Sequence, residues 1–193
     1  MGYKVLTLLN GDFVEACSRL EQRVAGSGFI PDCIVGIETG GRSVAERMFH
    51  SRPHCYTRLQ RPSSVARSAR LGRLIRLLPR RVCDWLRILE ARKLSADFAR
   101  RCSNDEVKHS VVAGARLVSV PDIGECRHLL VVDDAIDSGV TMAAVVKAIS
   151  DRYPDVEIMT AVITETDPDA VIKADFSLYD NKTLIRFPWS MDS

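Results

Sequence analysis

Several things that would assign a function quickly are missing from this chain. Its six cysteines (Cys17, Cys33, Cys55, Cys83, Cys102 and Cys126) are widely scattered, and no two stand at C-x-x-C spacing. That argues against a metal ribbon or a redox loop and for buried thiols in a reducing compartment. No apolar run approaches the length of a membrane span. The opening residues 1–10 are too short in their apolar stretch for a signal peptide and lack its small-residue cleavage site, so a cytoplasmic protein is expected. Internal repeats and low-complexity tracts are also absent, which excludes solenoids and compositional linkers.

What is present fits one domain, or one domain with a large insertion: 193 residues, 46% of them hydrophobic. The net charge of +2 conceals an asymmetry. From Arg52 to Cys102 there are 14 Lys and Arg against Asp84, Glu90 and Asp97, a balance of +11; the remainder carries 13 against 22, or −9. An acidic body with a basic insert implies an anionic partner for the insert.

Along the chain, residues 4–9 read as a strand. A helix capped by Asn10 or Asp12 follows, with Phe13, Ala16, Cys17, Leu20 and Val24 on one face. Residues 33–37 form a continuous apolar run of the kind buried in a parallel sheet. A helix is expected at 43–49 and strands at 54–59, 116–120 and 128–132. Then come a helix at 140–152 and strands at 156–164, 175–179 and 183–187. Strand and helix alternate, which predicts an α/β fold with a mainly parallel sheet. Residues 61–112 interrupt the alternation. Arg67, Arg70, Arg73 and Arg76 recur every third residue before Pro79, and Val82, Leu86, Leu89, Lys93 and Ala96 mark a second helical face. This segment is expected to be a basic helical hairpin inserted in the core.

The chemistry is concentrated in His128-Leu129-Leu130-Val131-Val132-Asp133-Asp134-Ala135-Ile136-Asp137-Ser138-Gly139-Val140-Thr141. An apolar strand ends in two adjacent carboxylates, at the edge where open α/β sheets bind ligands. Paired carboxylates are suitable acceptors for two vicinal ribose hydroxyls. The turn Asp137, Ser138, Gly139, Val140 and Thr141 opens a helix, whose N–H groups and hydroxyls make a phosphate cup. A second apolar strand ends in Glu38, Thr39, Gly40, Gly41 and Arg42, again a turn into a helix and a second anion cup.

Residues 129–141 resemble the 5-phosphoribosyl pyrophosphate (PRPP) signature of type I phosphoribosyltransferases. The resemblance implies that Asp133 and Asp134 hold the ribose hydroxyls, and that Asp137, Ser138, Gly139, Val140 and Thr141 hold the 5-phosphate. Asp137 would also stand near the attacking atom as proton acceptor. Thr39, Gly40, Gly41 and Arg42 resemble the family's pyrophosphate loop, with Arg42 replacing an Arg commonly found where Thr39 stands. Mg2+ is implied, with Asp133, Asp134 and Glu38 around it, partly through PRPP. The tail Thr183-Leu184-Ile185-Arg186-Phe187-Pro188-Trp189 is similar to the hood of the xanthine–guanine branch. The expected architecture is thus one domain over 1–193: a parallel sheet flanked by helices, a helical insert at 61–112 and a small C-terminal hood at 165–193.

Two residues depart from that branch. Leu184 stands where an aromatic stacks on the base, and Glu165 lies in the stretch where a Lys reads the purine 6-oxo group. An ionised Glu only accepts hydrogen bonds, so it is paired here with Asp137 as a candidate proton acceptor. The expectation is ribofuranosyl transfer from PRPP to a hydroxyl of a glycan or lipid-linked saccharide, as some members of this fold do in polysaccharide biosynthesis. The basic insert would then contact the inner membrane surface or serve a homodimer. Purine salvage is the alternative. A PRPP-sensing regulator that binds nucleic acid is disfavoured, because the insert has few aromatics for base stacking.

Overall fold

The computed structural model describes residues 3–60, 79–101, 111–115, 117–180 and 182–190. In chain order the elements are β1 (Lys4–Thr7), α1 (Gly11–Gly26), β2 (Cys33–Ile37), α2 (Gly40–Ala45), β3 (His54–Thr57) and α3 (Arg80–Arg101). They are followed by β4 (His128–Ile136), α4 (Val140–Arg152), β5 (Glu157–Glu165), β6 (Phe176–Tyr179) and β7 (Thr183–Arg186).

Five strands form one parallel sheet in the order β3-β2-β4-β5-β6. The run Leu129 to Val132 shows why its strands are apolar throughout. Leu130 and Val132 pack with Phe13, Leu20 and Met48 on the α1 face, while Leu129 and Val131 pack with Met142, Val145 and Ile149 under α4. With both faces covered, alternation vanishes and a continuous apolar strand results. The expected α1 face is buried in full: Phe13, Ala16, Cys17, Leu20 and Val24. Parallel strands also bring every C-terminal end to one edge, the edge at which open α/β sheets bind ligands.

β1 and β7 make a separate parallel pair. It is held over the end of β5 by Thr164 Oγ1, which donates to the Thr183 carbonyl at 2.7 Å. β4 runs on to Ile136, so the two carboxylates lie within the strand end rather than after it. Two expected elements differ. Of the strand at 116–120, only an isolated antiparallel bridge between Leu59 and Leu117 is seen. The helix expected at 43–49 is displaced toward the N-terminus, because Gly40 and Gly41 themselves adopt helical geometry.

In the insert, the arginine-rich half with Arg67, Arg70, Arg73 and Arg76 lies outside the described residues. α3 forms, but turned from the expected face: Val82, Leu86 and Leu89 are 38%, 37% and 40% exposed, while Cys83 is buried. Polar tethers orient it instead. Asp84 pairs with the buried Arg186 of β7 at 2.6 Å, and Arg186 also donates to Thr7 of β1 at 2.9 Å. Arg87 donates to the Ile185 carbonyl at 3.3 Å, and Ser95 shares a 3.2 Å hydrogen bond with Tyr3. The described cysteines form no disulfide. Among the described residues no helix is long and apolar enough to cross a membrane.

Candidate active site

A cavity of about 740 Å3 opens along the C-terminal edge of the sheet. β2 brings Glu38, Thr39 and Gly40 to it, and β4 with its loop brings Asp133, Asp134, Asp137, Ser138, Gly139 and Thr141. These two segments are distant in sequence and adjacent in space because β2 pairs with β4, Cys33 opposite Leu129 through Gly36 opposite Val132. Thr164, Thr166 and Asp167 come from the end of β5, Leu184, Ile185, Phe187 and Trp189 from the hood, and Glu90, Leu94, Asp97 and Phe98 from α3.

Glycine is required at two points of this edge. A Cβ on Gly40 would overlap the Asp134 carboxylate, so that turn can close on β4 only without a side chain. Gly139 has φ 77° as the cap of α4, in the left-handed region that favours glycine, and a Cβ there would also crowd Ile172. The second loop is braced from the side, where the Val171 N–H donates to the Ser138 carbonyl at 2.9 Å.

Of the two adjacent carboxylates, Asp133 is buried and Asp134 is half-buried at the cavity wall. Burial pushes Asp133 well above the usual carboxylate range, and the neighbouring Asp134 adds to the rise. Burial raises Asp134 as well, against hydrogen bonds that favour its charged form. One of these comes from Trp189, whose Nε1 donates to Asp134 Oδ2 at 3.1 Å. Asp137 accepts a short hydrogen bond from the Thr166 hydroxyl, whose oxygen is also 3.3 Å from the Ile136 carbonyl. Sequence reading missed Thr166 as a partner of Asp137. The signal was available, since Thr166 directly follows β5, the strand that neighbours β4.

Four expected residues are not brought to the cavity. Glu165 is directed elsewhere, its Oε1 accepting from the Ala174 N–H at 2.9 Å. Strand alternation explains this: Thr164 and Thr166 face one way, so Glu165 faces the other. Arg42 lies over the Tyr56 ring at 4.5 Å and pairs with Glu46 at 2.8 Å and Glu38 at 3.5 Å, on the outer side of α2. Gly41 and Val140 do not line the cavity either; Gly41 is packed against β4. Leu184 does line it, and Trp189 supplies an aromatic surface there.

The family model for the phosphoribosyl transferase domain matches residues 80–192 of this chain. The chain belongs to that family. PRPP-dependent phosphoribosyl transfer is the class of reaction the family supports. No curated protein matches it in sequence. In fold it is similar to the xanthine-guanine-hypoxanthine phosphoribosyltransferase of Helicobacter pylori, with TM-score 0.63 and 17% identity over 97% of this chain and 93% of that one. A purine phosphoribosyltransferase from Pyrococcus horikoshii gives 0.59 and 17% over 96% and 94%. A Neisseria gonorrhoeae protein with bound ppGpp gives 0.57 and 14% over 98% and 91%. At such identities the likeness is one of fold.

Proposed function

We propose that this phosphoribosyltransferase moves 5-phosphoribose from PRPP to a hydroxyl of a saccharide acceptor, releasing pyrophosphate. The observation that carries the donor half is the meeting of two anion cups on one cavity, the Glu38-Thr39-Gly40 turn and the loop from Asp137 to Thr141. In this reading the second cup and the N-terminus of α4 hold the 5-phosphate. Asp133 and Asp134 take the ribose hydroxyls, and the first cup takes the pyrophosphate.

The donor set fits Mg2+. Every candidate ligand is a hard carboxylate oxygen, and the buried Asp133 stands beside the half-buried Asp134, where a cation would relieve the cost of ionising both. Among the described residues no cluster of three ligands could hold a metal by itself. Asp133, Asp134 and Glu38 would therefore share the ion with PRPP oxygens, as Mg2+ commonly does with phosphate substrates. Bound there, Mg2+ would offset the charge developing on the departing pyrophosphate.

The reaction breaks the bond from the anomeric carbon to pyrophosphate, which leaves with the electron pair. A bond from that carbon to the acceptor oxygen forms, and the hydroxyl proton passes to Asp137. Thr166 holds Asp137 in place for this step. In this reading residues 1–193 act as one domain, with α3 of the insert and the hood at 165–193 forming the acceptor side. The charge of the basic half of the insert suits an anionic saccharide carrier.

Purine salvage is a second reading, favoured by the Trp189 indole in the cavity and by the fold neighbours. Against it, Arg87 is the one cationic residue lining the cavity among those described, and it is directed to the Ile185 carbonyl. Calorimetry with Mg2+–PRPP, followed by mass analysis of products formed with saccharides or purines, tests both. Phosphoribosylated saccharide is expected; nucleotide formed from purines alone would sink the saccharide reading.

A further inference from the structure

Helix α3 presents one face to the cavity. Arg87, Glu90, Ala91, Leu94, Asp97 and Phe98 stand at spacings of three and four, which places them on a single side of a helix. The tethers of α3 run to the hood and to the strand paired with it: Asp84 to Arg186, Arg87 to the Ile185 carbonyl, and Ser95 to Tyr3 beside β1. α3 and the hood therefore form one wall. The phosphate cups lie on the sheet side, so this wall is what remains for the second substrate.

The chemistry of the wall is selective. Leu94, Phe98, Leu184 and Trp189 give it apolar surface, suited to the flat or C–H face of a ring. Its polar groups are mostly engaged. Arg87 points to a backbone carbonyl, and Asp97 pairs with Arg100 at 2.6 Å. Glu90 has no hydrogen-bond or ion-pair partner among the described residues. A carboxylate there accepts hydrogen bonds and donates none. A ring bearing an amino or hydroxyl group would be held, whereas a ring turning a carbonyl oxygen toward it would be repelled.

We propose that α3 is the acceptor-selecting wall of this enzyme, with Glu90 reading an amino or hydroxyl group on a ring packed against Leu94 and Phe98. The inference rests on the transfer reading above and narrows its acceptor. A sugar ring and an aminopurine ring share this chemistry.

The test measures pyrophosphate release from Mg2+–PRPP with glucosamine, N-acetylglucosamine, adenine or xanthine, alongside PRPP affinity by calorimetry. Release is expected with a probe bearing an amino or hydroxyl group and not with xanthine, whose exocyclic groups are carbonyls and whose ring N–H donors each lie beside a carbonyl oxygen that the carboxylate repels. Use of an amino sugar rather than adenine identifies a saccharide, and the reverse a base. Glu90→Gln and Phe98→Ala should each raise the KM of the productive probe at least fivefold and change PRPP affinity by less than twofold. Glu90→Lys, on an exposed helix surface that tolerates Lys, should shift preference toward xanthine. Turnover of xanthine by the unmodified protein, no release with any amino- or hydroxyl-bearing probe, or an unchanged KM in Glu90→Gln would overturn the proposal while leaving PRPP binding intact. Failure of the unmodified protein to bind Mg2+–PRPP would instead remove the transfer reading, and this inference with it.

Discussion

The loop joining β4 to α4 and the wall made by α3 and the hood face the same cavity, but they are built in opposite ways. The loop is one uninterrupted stretch in which strand, capping glycine and helix follow one another in the chain. The wall is assembled from three separated segments, held by a half-buried ion pair and two hydrogen bonds. A contiguous site inherits its geometry from local backbone preference. A composite site depends on packing between elements, so its specificity can change while the donor half stays constant.

The largest effect should come from the loop. Asp133→Asn combined with Asp134→Asn is expected to abolish PRPP binding in calorimetry, yet to stabilise the ligand-free fold. Burial raises both carboxylates in the folded state, so the folded protein holds their protons more tightly than the unfolded chain. Stability is then full below the ordinary carboxylate pKa of about 4 and falls as pH rises through the higher folded values. The double variant lacks that loss, so near neutral pH it should melt above the parent, with the gap closing toward acid. Unchanged PRPP affinity would end the assignment of these two residues.

Asp137→Asn should come next, lowering kcat by about a hundredfold, the scale for losing a general base, with PRPP affinity changing far less. Equal losses in both would mean that Asp137 only shapes the phosphate loop.

On the wall, Asp84→Asn separates α3 from Arg186, which is 3% exposed at its residue while the Asp84 side chain is 36% exposed. Breaking a fully buried pair costs about 3–5 kcal/mol. Partial exposure of Asp84 reduces this to roughly 1–2 kcal/mol. Acceptor KM should rise and PRPP affinity should hold; an equal loss of PRPP affinity would show that the two halves are not separable.

The smallest effect is expected from replacing Arg67, Arg70, Arg73 and Arg76 with Gln. Acceptor KM should increase at low salt and the difference should fade as salt screens the charges. A lowered melting temperature with normal acceptor kinetics would assign those arginines to the acidic body instead.

The residues facing the cavity were legible to different degrees, and the differences follow from geometry. Asp133, Asp134, Asp137, Ser138, Gly139 and Thr141 could be located together because a strand–turn–helix carries them in order. Glu38, Thr39 and Gly40 were legible for the same reason. Glu165 was placed in the site from position along the chain, but alternation along β5 turns it to Ala174 and gives the cavity Thr164 and Thr166. Arg42 was chosen for its charge, yet helical geometry beginning at Gly40 carries it to the outside of α2. The face of α3 was read from apolar periodicity, which fails when ion pairs orient a helix.

Sequence alone determined the α/β alternation, the buried β2 and β4 strands and both glycine turns, because these arise from periodicity and backbone preference over a few neighbouring residues. Only the tertiary structure decided that Thr166 braces Asp137, that Trp189 reaches Asp134, and that α3 closes the far side of the cavity. Each of those contacts joins elements far apart in the chain, where direction depends on packing and on which buried charge finds its partner.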